Sequence, residues 1–181
     1  VRHARICLDP NREVEHISVK MGQPCFEPAV IPAHLETPLD TLLPLAEGET
    51  LSITALSTGS THAVTFVPQL PDDATFLRIS PQVENHPLFP ERTSLMWCAV
   101  EGDNRLRLRI WERGAGETWG CGTGACAAGV AALLKGYASD NQPVTVISKG
   151  GELQIRWREG EEIEKTGPAV TVYNGTYSPT F

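Results

Sequence analysis

A chain of 181 residues that is 41% hydrophobic and 20% charged has the composition of a folded globular protein, which excludes wholesale disorder. Fifteen Lys and Arg against 22 Asp and Glu give a net charge of −7. With no basic stripe, that balance argues against nucleic acid as a partner. No apolar run approaches the ~20 residues of a membrane-spanning helix, so no membrane partner is expected. Cys7, Cys25, Cys98, Cys121 and Cys126 are odd in number and contain no C-x-x-C pair. They read as free thiols of a reducing compartment, hence a cytoplasmic chain. Val1 stands where a Met would start a chain, and Arg2, His3 and Arg5 interrupt any signal-peptide core. The sequence therefore reads as a processed chain or a fragment.

Ile6 and Leu8, then Val14, Ile17, Val19 and Met21, alternate on either side of Asp9-Pro10-Asn11. Two strands with a tight connection are predicted. Five prolines in residues 22–45 predict an extended loop, with at most a short helix over 40–45. Residues 50–56 and 62–67 read as strands about the turn Ser57-Thr58-Gly59-Ser60-Thr61. A short helix is expected around 81–86. Glu101-Gly102-Asp103-Asn104 marks a hairpin between strands at 95–100 and 105–111. In the second of these, Leu106, Leu108 and Ile110 alternate with Arg105, Arg107 and Arg109, read as a solvated basic row. Residues 122–136 are alanine-rich and apolar all round, which predicts a buried helix ended by Gly136. Strands follow at 144–148, 152–157 and around 170–173. The sum is an α+β fold, a curled, mostly antiparallel sheet wrapped around one buried central helix.

The chemistry concentrates in Glu112-Arg113-Gly114-Ala115-Gly116-Glu117-Thr118-Trp119-Gly120-Cys121-Gly122-Thr123-Gly124-Ala125-Cys126. Cys121 falls at the start of the predicted helix, where unpaired N–H groups and the dipole favour an anion. A thiol there is expected to have a lowered pKa and to serve as a base or nucleophile. The N–H groups of Gly122, Thr123 and Gly124 suit a carboxylate or phosphate. The bland alternative is an inert buried cysteine beside a glycine turn. Cys126, inside the apolar helix, reads as core. Cys121 and Cys126 lack the second ligand pair of a zinc site, and no metal site is expected. No lysine follows the glycines as a phosphate-binding P-loop requires.

This run strongly resembles the C-terminal signature of the diaminopimelate epimerase family, the pyridoxal-independent amino-acid epimerases. Met21-Gly22-Gln23-Pro24 with Glu27-Pro28 resembles the family's MGxPxxxP segment, and Gly59-Ser60-Thr61-His62 stands where the family has GNPH. Phe89-Pro90-Glu91-Arg92, Gly150-Gly151-Glu152-Leu153 and Thr166-Gly167-Pro168-Ala169 match in order as well. The resemblance implies a cofactor-free, two-base reaction in a cleft between two pseudo-symmetric halves. One thiolate removes the α-proton and a thiol on the other face returns one. Cys121 matches the catalytic cysteine of the C-terminal half. Glu112 and His62 match the pair supporting the reacting centre, Gly122 and Thr123 the grip on the α-carboxylate, and Arg113 the grip on the distal carboxylate.

Two departures stand out. No CGNG loop with the other catalytic cysteine occurs, and Cys7, Cys25 and Cys98 lack the setting to replace it. Ser60 and Ser94 occupy positions where the family reads the distal end of the substrate with asparagine. The implied organisation assigns residues 1–17 to the last strands of an N-terminal half, 18–168 to the C-terminal domain, and 169–181 to a closing strand and tail. The implied partners are an amino-acid substrate and an N-terminal half bearing the second cysteine. An uncovered cleft face would also invite a homo-oligomer. The expected function is conversion of LL- to meso-diaminopimelate in lysine and peptidoglycan precursor synthesis. The alternatives are a racemase of another amino acid, or a non-catalytic half-domain that acts as a binding module.

Overall fold

The computed structural model describes residues 2–178; residues 1 and 179–181, the outer ends of the first and last expected segments, lie outside the described residues. The elements are β1 (Ala4–Leu8), β2 (Val14–Lys20), β3 (Thr41–Pro44), β4 (Thr50–Ser57), β5 (Thr61–Val67), α1 (Asp73–Glu84), β6 (Ser94–Gly102), β7 (Arg105–Glu112), β8 (Gly116–Thr118), α2 (Gly122–Leu134), β9 (Val144–Ser148), β10 (Gly151–Arg156) and β11 (Glu164–Gly167). The strands form one sheet in the order β1-β2-β11-β10-β9-β7-β6-β5-β4-β3, with β8 on β7. Among the described residues every pairing is antiparallel except β5 with β6 and β7 with β9. The sheet curls around α2, which packs against β4, β5, β6, β7, β9 and β10. This is the expected α+β architecture.

α2 is buried from Gly124 through Ala132. Its alanines and glycines give it a thin cylinder, so the sheet approaches closely on all sides. Gly136, at φ +70°, takes the left-handed position just past the helix end. Leu56, Val64, Met96, Cys98, Leu106, Leu108 and Ile110 turn inward to form the core around α2. The opposite face of β4, β5 and β6 contributes Ile53, Ala55, Ala63, Leu95 and Trp97 to a second core under α1, with Phe76, Ile79, Val83 and Phe89. The central strands are therefore buried on both faces, and their side chains alternate between the cores.

Four local readings are corrected. Residues 41–44 pair with β4 as strand β3 and do not form a helix, because backbone partners are available along the edge of β4. The helix expected around 81–86 starts earlier, at Asp73, where Asp72 caps it by accepting a hydrogen bond from the Thr75 N–H at 2.8 Å. Pro81 sits inside α1 without ending it. Arg109 is not solvated. Its guanidinium lies 3.8 Å from the Phe76 ring centroid and donates to Glu117 at 2.9 and 3.0 Å. Lastly, the closing strand is Glu164–Gly167, between β10 and β2. Residues 170–173 form no strand, and Val170, Val172 and Tyr173 are exposed.

Candidate active site

Three segments meet at the N-terminal end of α2: the β4–β5 turn, the end of β7 with the turn into β8, and the residues opening the helix. Cys121 is extended at φ −135°, ψ 109° and serves as the helix N-cap. Its sulfur accepts a hydrogen bond from the Gly124 N–H at 3.4 Å. The approach is held from behind, since the Gly150 N–H donates to the Trp119 carbonyl at 2.6 Å. A Cβ on Gly150 would stand 2.8 Å from that oxygen, so glycine is required for the contact. A Cβ on Gly124 would lie 2.5 Å from the Met96 sulfur, so the end of that side chain would have to move aside.

Around the sulfur, Thr123 Oγ1 lies at 3.5 Å and the Glu112 carboxylate is also a neighbour. The Thr118 hydroxyl donates to Glu112 Oε1 at 2.6 Å, fixing that carboxylate. Burial is the largest influence on the Cys121 thiol and raises its pKa above the ordinary value. Thr123 and the Gly124 N–H pull it down, and Glu112 pushes it up. This corrects the expectation of a lowered pKa: the helix start supplies donors, but desolvation and the neighbouring carboxylate outweigh them. Cys121 rests as a thiol. Cys126, expected as core, is fully buried, and burial pushes it up to about 12.

His62 is 1% exposed. Burial lowers its pKa to about 4, partly offset by Glu112 and reinforced by Arg113, so the imidazole is neutral. Its Nε2 lies 3.0 Å from Ser60 Oγ, whereas Nδ1 is the buried side-chain atom without a hydrogen-bond partner among the described residues. Ser60 Oγ also donates to Thr123 Oγ1 at 3.4 Å, and Thr58 Oγ1 donates to the Thr123 carbonyl at 3.0 Å. Ser94 is the register partner of His62 across β5 and β6, and its hydroxyl accepts the Arg113 N–H at 3.0 Å. The Arg113 guanidinium is held by the Glu91 carbonyl at 2.8 Å. The residues singled out from the sequence thus form one contiguous group. His62, Ser60, Thr123 and Cys121 are linked contact by contact, Glu112 is a neighbouring charge to both ends, Gly122 opens the helix, and Ser94 and Arg113 lie beside His62.

Two residues escaped the sequence reading. Glu84, 6% exposed at the end of α1, accepts from Trp111 Nε1 at 2.6 Å, the Gly114 N–H at 2.8 Å and Arg92 at 3.1 Å. It fixes the turn that carries Arg113. The available signal was a carboxylate on the same helical face as Ile79, Ser80 and Val83. Lys165 of β11 is the other. Its ammonium would lie 2.7 Å from a Cβ on Gly122, so it reaches the first turn of α2. No group of three or more His, Cys, Asp or Glu among the described residues is placed to hold a metal ion.

The curled sheet about a buried helix is shared with the crystal structure of a hydroxyproline epimerase from Agrobacterium vitis. That chain superposes with a TM-score of 0.62 over 92% of this chain and 53% of its own, at 14% identity, a likeness of fold. In sequence, residues 54–172 match the family model described as diaminopimelate epimerase, and the chain belongs to that family. The diaminopimelate epimerase of Desulfovibrio desulfuricans (strain ATCC 27774 / DSM 6949 / MB) is 45% identical over 168 residues, covering 88% of this chain. That of Nitrosomonas eutropha (strain DSM 101675 / C91 / Nm57) is 43% identical over 180 residues, covering 97%. The chain spans 58% and 63% of the length of these two relatives.

Proposed function

We propose that this chain supplies one acid/base thiol, Cys121, of a cofactor-independent amino-acid epimerase that interconverts LL- and meso-diaminopimelate. The observation that carries the reading is the Cys121 sulfur at the head of α2, held by the Gly124 N–H at 3.4 Å with the Glu112 carboxylate near enough to act on its charge. A thiol kept protonated by burial donates a proton to one face of a substrate carbanion, and Glu112 takes up a proton from it for the reverse direction. The first N–H groups of α2 hold the α-carboxylate and stabilise charge that develops beside it. The second thiol, on the opposite face, comes from an N-terminal half corresponding to the remaining length of the relatives. Ile6, Leu8 and Val14 near one end, and Val170, Val172, Tyr173 and Tyr177 near the other, expose apolar surface that such a half would cover. The cysteines are free thiols, in keeping with a cytoplasmic setting.

A racemase of another amino acid is the second reading, favoured by the two serines. Both hydroxyls are engaged inside the protein, Ser60 with His62 and Thr123 and Ser94 with Arg113, where a distal amino-acid group would need open donors and acceptors.

The test follows α-proton exchange and stereochemistry in D₂O under reducing conditions, with LL- and meso-diaminopimelate. It uses the chain alone and the chain joined by an N-terminal half bearing the second cysteine, with Cys121→Ala as control. Inversion by the joined protein that is lost in the variant supports the reading. Exchange with retention by the chain alone identifies a working half-site. Silence from the joined protein overturns diaminopimelate as substrate, and a panel of other amino acids then decides the second reading.

A further inference from the structure

We infer that Ser60 is a positioning residue: its hydroxyl links the buried His62 imidazole through Thr123 to the Cys121 sulfur. The inference rests on Cys121 being the acid/base thiol. Three contacts form an unbroken side-chain path: His62 Nε2 to Ser60 Oγ at 3.0 Å, Ser60 Oγ to Thr123 Oγ1 at 3.4 Å, and Thr123 Oγ1 to Cys121 Sγ at 3.5 Å.

The direction of donation follows from counting hydrogens. A serine hydroxyl has one, and Ser60 donates it to Thr123. The His62 contact must then be donated by the imidazole, so Nε2 carries the proton. Thr123 accepts from Ser60, and its own hydrogen is available to the sulfur when Cys121 is the thiolate. The His62 and Ser60 donors along the path thus point toward Cys121. The same assignment explains Nδ1. It is the deprotonated nitrogen, and a bare acceptor, not an N–H, is the atom left without a partner among the described residues.

The path sets a local balance. Facing the Cys121 sulfur are Glu112 from β7, which opposes the thiolate, and Cys126 on α2, while Lys165 from β11 reaches neighbouring Gly122. Facing His62 are Glu112 and Arg113, and Arg2 reaches Gly59 in the same turn. A hydroxyl donating to sulfur favours the thiolate, and one that itself accepts a hydrogen bond is a better donor. Removing the Ser60 hydroxyl releases the His62 tautomer and weakens the Thr123 donor. A serine that only touched the substrate's far end would change neither.

The experiment measures alkylation of Cys121 by iodoacetamide across a neutral-to-alkaline pH series, resolved by peptide mass spectrometry. The ¹⁵N signals of the His62 ring are recorded in the same samples. The native chain is expected to hold the Nε2–H tautomer. In Ser60→Ala the alkylation midpoint is expected to rise by about one pH unit, slowing the neutral-pH rate about tenfold, with a mixed tautomer. Ser60→Thr is expected to restore both readouts. Thr123→Val breaks the same path one link on and is expected to reproduce the alkylation shift, which covers the case where Ser60→Ala does not fold. Unchanged midpoint and tautomer in folded Ser60→Ala, or an unchanged midpoint in Thr123→Val, would overturn the inference. No substrate is involved, so failure of the epimerase reading appears separately, as absence of isotope exchange.

Discussion

Gly129 of α2 passes so close to β10 that a Cβ on it would sit 2.9 Å from both Cβ and Cγ2 of Ile155. A β-branched side chain cannot swing its own Cβ aside, so the backbone of α2 or β10 must move. Gly129→Ala is expected to cost about 1–3 kcal/mol by urea denaturation, despite the ~1 kcal/mol that alanine gains in helix propensity. Gly124→Ala meets the flexible end of Met96, at 2.5 Å from its sulfur, and the Cys121 Cβ at 3.3 Å. Its cost is expected to be the smaller of the two; the reverse order would contradict this packing.

Glu84 anchors the turn next to the site. Glu84→Ala leaves the Trp111 Nε1–H and the Gly114 N–H without their acceptor. The expected loss is about 2–4 kcal/mol of stability. If the fold survives, Arg113 loses the fixed turn below it. Hydrogen exchange at Gly114 is expected to accelerate by at least about tenfold, a change a surface carboxylate would not produce.

The pH dependence of folding has a definite sign at His62. Its folded pKa is lowered to about 4 from an ordinary 6.5. The unfolded chain therefore binds more protons through that interval. Stability falls as pH drops from about 6.5 toward 4, with this group contributing up to about 3 kcal/mol to the loss. Urea melts of the native chain and His62→Gln over this range test the point, and the variant should have the shallower dependence.

A second acid-sensitive contribution comes from Glu117, held at about 2 by Arg109, with Lys149 assisting. Its contribution is present above the ordinary carboxylate value near 4.5 and is lost as pH falls toward 2. Arg109→Lys keeps the charge but gives up the paired contacts to Glu117 and the stack on Phe76. It is expected to cost about 1–2 kcal/mol near neutral pH in thermal or urea denaturation.

What could be read from the sequence was what short-range chemistry decides. α2 is legible because nothing but a buried helix suits an all-round alanine face, and Cys121 because glycines bracket it. The hairpin between β6 and β7 carries its own turn signal. The errors arose where partners are distant. Val170 and Val172 alternate like a strand, but a strand exists only where another accepts its hydrogen bonds, and Glu164–Gly167 lies between two that do. Arg109 alternates with Arg105 and Arg107, yet only its position meets Asp73 and Phe76 of α1. The link from His62 through Ser60 joins a turn to a helix start 63 residues away from Ser60 to Thr123, beyond any local pattern.

The alternation along β4, β5 and β6 has a consequence for how the molecule comes apart. Neighbouring residues, such as Ala63 and Val64 or Leu95 and Met96, serve opposite cores. The layer under α1 and the layer around α2 therefore have a common wall, and neither can melt while the other keeps that wall intact. The two layers form a single cooperative unit, and loosening either one is transmitted to the β4–β5 turn on which Ser60 is carried.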